Sequence, residues 1–229
     1  TYHGVARRSA ALAGADFVIN TIQVGGYDPA TVADFEIPKK YGLRQTIGDT
    51  LGIGGIFRGL RTIPVLEGIA EEMEKVAPRA LFLNYTNPMA IVTGGMARLT
   101  TIPTVGLCHS VQVCAPKLLE DLGIAATDLR WSIAGINHMA WLLSVRDGDR
   151  DLYPEIKRRA AKRNRVARES GESHDDMVRY EIMRLFGYYI TESSEHNAEY
   201  TPFWIKSTAP ELVEEFNIPL DEYPRRCVS

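Results

Sequence analysis

Two short segments of the 229-residue chain each place a metal-ligating side chain directly after an apolar run. Cys108 follows the run at 104–107, and His138 follows the run at 131–136. Runs of this kind are typical of buried strands. Because open α/β sheets bind ligands beyond the carboxyl ends of their strands, a thiolate and an imidazole delivered there could share one metal ion. Each residue alone also has an ordinary alternative, a small buried Cys or a structural His.

A second group of residues could bind a small molecule. The segment NYTNP ends a predicted strand with Asn84 and places Asn87 at a helix start, where an amide beside the positive helix terminus could hold a hydroxyl or carbonyl group. A simple Asn-Pro turn explains the same segment. Gly25 and Gly26 follow another predicted strand and would allow close approach of a ligand, although they do not form a GxGxxG motif.

The segment at 188–196, YYITESSEH, concentrates phenols, hydroxyls, carboxylates and an imidazole. Tyrosine has an ordinary pKa of about 10, so it acts as a base only where a cation or a hydrogen-bond network stabilises its phenolate. An aromatic core followed by a helix cap is the alternative interpretation. Asp49 lies in a predicted loop and stays an ordinary acidic residue until it has a partner.

Composition argues against several classes of function. Hydrophobic residues make up 45% and charged residues 24%, as in ordinary globular proteins, and the net charge of −3 offers no basic surface for nucleic acid. The sequence shows no bilayer-length apolar run and no signal peptide. Its three cysteines lack the spacing of a disulfide framework, so we expect a cytoplasmic protein in which Cys114 packs in a core and Cys227 is exposed.

Alternating strands and helices would position these residues. Apolar periodicity predicts strands at 16–23, 80–84 and 104–108 and helices at 56–76, 88–99 and 111–122. The alternation indicates a parallel sheet with crossover helices, with a long loop at 27–55 after the first strand and a kink or restart at Pro64. The remaining predicted elements are strands at 131–136 and 140–147, a basic solvated helix face or mobile loop at 157–168, and a helix at 175–186.

Several longer motifs resemble the NAD- and metal-dependent glycosidases of glycoside hydrolase family four, specifically the α-galactosidase (melibiase) branch. They are KYGLRQTIGDTLGIGG with FRGLRTIPVL, then NYTNPM, GLCHSVQ, GINHMAW and GYYITESSEHNAEYTPFW, and together they cover most of the chain. The resemblance implies an α/β fold. A Rossmann-like, lactate/malate dehydrogenase-like parallel sheet would form the remainder of an NAD-binding domain at 1–125, and 126–229 would begin an α+β catalytic domain.

The resemblance also implies the cofactors, NAD and Mn²⁺ or another divalent metal. NAD⁺ would take hydride from C3 of an α-galactoside, a base would remove the C2 proton, the glycosidic oxygen would leave, and water and hydride would then be added. The metal would hold the sugar oxygens O2 and O3 as a Lewis acid. The implied assembly is a homo-oligomer, a dimer or tetramer, without nucleic-acid or membrane partners.

Residue roles are carried over from the matching motifs. Cys108 and His138 match the metal ligands, and Asn87 matches a substrate-binding residue. The other assignments are Asn137 to the substrate, Gly25, Gly26 and Asn84 to the cofactor, Tyr188 as the C2 base ahead of Tyr189 and Tyr200, and Asp49 as the residue that raises the basicity of that tyrosine.

The general acid is left open, with His109 as the candidate. The phospho-glucosidase branch has an acidic Asp after the metal Cys, whereas this chain has His109, which argues against a 6-phosphosugar substrate.

The family's N-terminal Gly-rich NAD loop and its C-terminal part have no counterpart in this sequence. The first residues also look like the middle of a helix, so we expect both domains to be incomplete and the fragment alone to be inactive. Three alternative functions stay open: a family member acting on α-glucosides or α-galacturonides, a lactate/malate dehydrogenase-like oxidoreductase, and a non-catalytic sugar-binding remnant.

Overall fold

The computed structural model describes residues 4–228, which divide into two compact units. The first unit contains residues up to Leu43, Gly48–Cys108 and the segment from Arg226, and the second contains Arg44–Ile47 and His109–Arg225. Within the described residues, no helix combines the length and the apolar character that crossing a bilayer requires. The predicted domain boundary at 125/126 stays a prediction.

The first unit is built on a parallel sheet of β1 (Phe17–Asn20), β2 (Leu81–Asn84) and β3 (Thr104–Gly106), in that order. The crossover helices are α3 (Gly52–Val76) and α4 (Met89–Leu99). Phe82 is buried among residues of α3 and α4, including Leu66, Met73 and Val92. The predicted parallel α/β fold is therefore confirmed.

The structure differs from two sequence predictions for this unit. The expected loop at 27–55 contains α2 (Val32–Lys39), which is preceded by a short helical segment, Gly26–Thr31, that is broken at Asp28. These elements follow α1 (Arg8–Leu12) and a 3-10 turn at Val5–Arg7. Of the two options for Pro64, the restart is wrong, because α3 continues through this residue, and the kink stays a prediction. Pro64 and Leu60 are both exposed, so solvent can bond the Leu60 carbonyl that the missing proline N–H leaves open.

The second unit is built on an antiparallel sheet. The hairpin of β4 (Leu129–Ile136) and β5 (Met139–Asp147) is extended by β6 (Arg150–Asp151) and, on β5, by β7 (Tyr189–Ile190). Successive β5 side chains contribute to two different cores, since Leu142 belongs to one and Trp141 packs against the other.

Helices surround this sheet within the second unit. They are α5 (Ser110–Asp121), α6 (Tyr153–Ser170), α7 (Met177–Phe186), α8 (Ser194–Tyr200) and α9 (Glu211–Glu215), and the last described helix is α10 (Glu222–Val228). The basic stretch at 157–168 lies in α6, so the mobile-loop option is wrong. This helix buries Ile156, Ala160 and Ala167 at helical spacing and leaves most of its basic side chains exposed.

Candidate metal centre

His138 lies in the tight turn between β4 and β5. Ile136 pairs with Met139, so Asn137 and His138 form a two-residue loop, and His138 adopts a left-handed φ of 62°. The side chain is buried. We expected this histidine at the strand end of an open parallel sheet. That was wrong, because only Asn137 and His138 separate β4 from β5, which is enough for a hairpin and too few for a parallel crossover.

Cys108 follows β3 of the parallel sheet, as predicted. The Leu107 amide donates to the Asn84 carbonyl (2.9 Å), which continues the strand pairing up to the residue before the thiol. Cys108 is half-buried and ends the first unit, and its peptide bond joins it to His109 of the second. The chain itself therefore holds this thiol at the N-terminus of α5.

Glu192 is a ligand candidate that the sequence analysis missed. It lies two residues after β7. The pairing of β7 with β5 continues to Thr191, whose amide donates to the Ala140 carbonyl (2.8 Å) and whose hydroxyl accepts from the Ala140 amide (3.1 Å). This pairing brings Glu192 beside the hairpin turn. Its Oε2 lies 3.5 Å from His138 Nε2, and the ligand atoms of Cys108, His138 and Glu192 all lie within 4.8 Å of one another.

The surroundings of Glu192 favour its ionised form. Burial raises the pKa of this carboxyl, but the neighbouring His138, a hydrogen bond donated by the Ser110 hydroxyl, and the histidines at 196 and 109 together bring it below the ordinary value. His196 contributes through its Nδ1, which lies 3.8 Å from Glu192 Oε1. The centre therefore presents a carboxylate.

These three side chains fit a catalytic divalent metal. Thiolate and carboxylate together supply two negative charges, and a neutral imidazole supplies a third donor. Three protein ligands leave coordination positions for substrate oxygens, which is the arrangement of catalytic and not of structural metal sites. The arrangement can therefore hold a metal that polarises a bound substrate.

Tyr200, and not Tyr188, lies at this centre. Tyr200 is the last residue of α8, whose N-terminus is capped by the Ser193 hydroxyl. The Tyr200 hydroxyl lies 3.4 Å from His138 Nδ1. The half-exposed Tyr188 ring packs instead against Tyr153 (centroids 5.9 Å apart) and lies 5.9 Å from the Lys157 ammonium.

Tyr189, the other alternative base, is fully buried. Its hydroxyl donates to Asp176 (2.7 Å), and burial raises its pKa well above the ordinary value. Its phenol is therefore part of the buried interior of the second unit.

In the first unit, Asp49 and Asn87 lie together. The Asn87 amide donates to Asp49 Oδ2 (3.2 Å), and Asp49 Oδ1 accepts from the Thr50 hydroxyl (2.6 Å). Asn87 and Asp49 are thus direct neighbours although they lie 38 positions apart in sequence. The family motifs link Asn87 to the substrate and Asp49 to proton transfer. Their functional roles stay predictions.

The side chain of Asn84 is hydrogen-bonded inside the first unit. It is fully buried, its oxygen accepts from the amides of Asn20 (2.7 Å) and Thr86 (3.1 Å), and its nitrogen donates to the Thr86 carbonyl and the Thr93 hydroxyl, at 3.2 Å each. These bonds use its side-chain groups inside the first unit, and its assignment to the cofactor stays a prediction. An Asn at a strand end carried no sequence signal that separates these two roles.

Gly25 and Gly26 both have left-handed φ values, 82° and 64°. A Cβ on Gly25 would lie 2.6 Å from Ala30 Cβ, so internal packing already requires glycine there, whereas a Cβ on Gly26 would meet open space. Their assignment to the cofactor stays a prediction.

The two remaining candidates flank the metal ligands. Asn137 adjoins His138, and its buried Oδ1 has no hydrogen-bond partner among the described residues. His109 is exposed, and its carbonyl accepts from the Gln112 amide (3.0 Å) in the first turn of α5. Cys114 is buried and Cys227 is exposed, as predicted.

Comparisons with known proteins find one family along the chain. The model of the family 4 glycosyl hydrolases matches residues 1–124, and that of the family's C-terminal domain matches residues 133–229. The α-galactosidase of Bacillus subtilis (strain 168) is 63% identical over 221 residues, which are 96% of this chain and 50% of that protein. The chain thus spans about half the length of the curated relatives it matches.

Two crystal structures are similar as well. That of lplD from Bacillus subtilis has a TM-score of 0.80 at 29% identity, covering 96% of this chain and 53% of that one. That of the 6-phospho-β-glucosidase from Thermotoga maritima, solved with manganese, NAD⁺ and glucose-6-phosphate, has a TM-score of 0.56 at 25% identity, covering 66% of this chain and 36% of that one.

Proposed function

The chain belongs to the family 4 glycosyl hydrolases, and from that premise we propose that the full-length protein is an α-galactosidase that depends on NAD and a divalent metal. The substrate proposal is supported by the high identity to a curated α-galactosidase along nearly the whole chain. The cofactor proposal is supported by the related structure that contains manganese and NAD⁺.

The convergence of Cys108, His138 and Glu192 carries this proposal. We assign all three to the metal, with Mn²⁺ as the ion. When bound, NAD and the metal supply hydride transfer and Lewis-acid polarisation of the sugar oxygens. The protein's own side chains must then orient the sugar and move a proton at C2.

We propose that Tyr200 is the base that removes the C2 proton of the sugar. A base must lie within reach of the substrate held at the metal, and the Tyr200 hydroxyl contacts the ring of a proposed metal ligand. Tyr188 packs against Tyr153, so we replace our sequence-based choice by Tyr200.

Asn87 and Asn137 are assigned to the sugar hydroxyls, with Asp49 orienting the Asn87 amide through their hydrogen bond. The buried Asn137 Oδ1 beside the metal ligand can accept from a sugar hydroxyl. Gly25 and Gly26 stay our candidates for the cofactor, and His109 stays the candidate acid.

The cellular setting is part of the same proposal. A metal-binding Cys108 requires a thiolate, which a reducing cytoplasm preserves. A homo-dimer or homo-tetramer is taken from the family resemblance.

Hydrolysis of p-nitrophenyl α-galactoside by the full-length protein, with NAD⁺ and Mn²⁺ each omitted in turn and a thiol reductant present, tests the proposal. We expect hydrolysis only when both are added, without net NADH release. Hydrolysis without NAD⁺ would overturn the mechanism, and net NADH release would indicate the oxidoreductase instead. Faster cleavage of the corresponding α-glucoside or α-galacturonide would show that this sugar, and not galactose, is the substrate.

A further inference from the structure

We propose that Arg58 and the N-terminus of α3 form a binding site for an anionic oxygen group of a ligand. The diphosphate of NAD and the carboxylate of a sugar acid both supply such a group. The first of these sources rests on the proposed function, whereas the site itself does not. Arg58 belongs to the motif FRGLRTIPVL, in which the family resemblance assigned no residue a role.

Arg58 is a buried cation without a partner in the protein. It lies in the second turn of α3 and is only 8% exposed, and none of residues 4–228 forms a hydrogen bond or an ion pair with its guanidinium. The guanidinium stays charged, and an arginine is almost never fully buried unless it is paired. Because an unpaired buried charge is costly, we expect its partner to be a bound ligand.

Arg61, three residues further along α3, has the contacts of a structural arginine. Its Nη1 and Nη2 donate to the two carboxylate oxygens of Asp34 (3.1 and 2.6 Å), and its Nε donates to the Val24 carbonyl (3.1 Å). Arg58 is more deeply buried and makes no such bond to the described residues. The hydrogen bonds of the first unit therefore do not explain an arginine at position 58.

Close packing places this part of α3 beside the segments that carry Asp49 and Asn87. A Cβ on Gly55 would lie 2.7 Å from the backbone of Thr50, the residue after Asp49. A Cβ on Gly59 would lie 3.4 Å from Pro88, the residue after Asn87. Position 58 lies one turn after the first of these glycines and directly before the second, so its arginine is close to the proposed substrate residues.

The start of α3 complements the charge of Arg58. A helical side chain lies over the residues three and four positions before it, which for Arg58 are Gly55 and Gly54, so the guanidinium extends towards the helix N-terminus. The N-cap residue is the apolar Leu51, and the first turn contains no acidic residue. The positive end of the helix and the guanidinium therefore favour the same anion.

A ligand can reach both groups. A Cβ on Gly52, the first residue of α3, would meet open space, and the nitrogens of Arg58 are not among the enclosed polar atoms of the described residues that lack a partner. The nearest acidic residue in sequence, Asp49, accepts from the Asn87 amide and the Thr50 hydroxyl instead of pairing with Arg58. The fork of an arginine matches the paired oxygens of a diphosphate or a carboxylate.

Isothermal titration calorimetry of the cofactor-stripped full-length protein tests this inference. NAD⁺ and ADP-ribose carry the diphosphate, galacturonate carries the carboxylate, and galactose carries neither. We expect Arg58→Met to weaken the binding of NAD⁺ and ADP-ribose, or that of galacturonate, about 10- to 100-fold and to leave galactose binding unchanged. The affected ligands identify the source of the anion, and unchanged binding of all three anions would overturn the inference.

Thermal unfolding separates this role from a structural one. Because Arg58 has no protein partner to lose, Arg58→Met should leave the Tm of the ligand-free protein unchanged or raise it. A lower Tm, or failure of the variant to fold, would show that Arg58 stabilises the fold and would overturn the inference.

Arg98→Met is the matched control, because it removes an exposed arginine from α4 of the same unit. It should bind every ligand as the wild type does. A wild type that does not hydrolyse the α-galactoside with NAD⁺ and Mn²⁺ would refute the proposed function. The inference fails separately, when no anion distinguishes Arg58→Met from the wild type.

Discussion

Replacing Glu199 by Ala should loosen the segment Arg44–Ile47, because one oxygen of this carboxylate accepts two of its backbone amides. The segment is also bonded to Glu195, Asp221 and Tyr223. Glu199 Oε2 accepts from the Thr46 amide (2.6 Å), the Ile47 amide (3.1 Å) and the Thr46 hydroxyl (3.1 Å). Both segment residues are buried, with exposures of 0% and 3%. Alanine therefore leaves two backbone donors without this acceptor where solvent does not reach.

The expected cost follows from those two amides. A buried donor left without an acceptor costs about 1–3 kcal/mol, so Glu199→Ala should destabilise the local structure by about 2–6 kcal/mol. Glu199→Gln keeps an oxygen at the same place and loses only the charge, so its cost should be about 1 kcal/mol.

Hydrogen-exchange mass spectrometry of a peptide that spans the segment measures the effect. A loss of 2 kcal/mol accelerates exchange from the locally opened state roughly 30-fold, and a loss of 1 kcal/mol about fivefold. Glu169→Ala, which removes an exposed carboxylate, should leave this peptide unchanged. Exchange in Glu199→Ala no faster than in Glu199→Gln would refute the assignment of Glu199 as the anchor.

Two further predictions concern individual side chains. Tyr200→Phe should lower kcat of the full-length enzyme by about 100-fold or more and leave Mn²⁺ binding intact, whereas Tyr188→Phe should change kcat little; equal losses in the two variants would count against Tyr200. Burial raises the pKa of the Cys114 thiol to about 11, so at pH 8 iodoacetamide should modify Cys114 only after denaturation, and its modification in the native protein would contradict the burial.

Local patterns in the sequence predicted the strands and most helices, because their periodicity reflects burial on one side. The three parallel strands and the two strands of the hairpin follow from short apolar runs, but the pairing of β4 with β5 was not predicted. The helix α2 was missed because Pro29 and Pro38 interrupt the region and imitate a loop. Pro64 led to the opposite error. It indicated that the helix restarts, whereas the long helix α3 tolerates this exposed proline and continues through it.

The candidate site was predicted only where a residue carries its own local signal. Cys108 and His138 stand after apolar runs, and the motifs around them are long. Glu192 reaches the site through the pairing of β7 with β5, some fifty residues away in sequence, and nothing local encodes that register. The choice between Tyr188 and Tyr200 likewise depends on the course of the chain through α8.

An anomalous difference map, recorded at the manganese absorption edge from crystals of the full-length protein grown with Mn²⁺, would show which side chains bind the metal. We expect a peak within coordination distance of Cys108 Sγ, His138 Nε2 and the Glu192 carboxylate. A manganese peak elsewhere, with none at these three side chains, would contradict it.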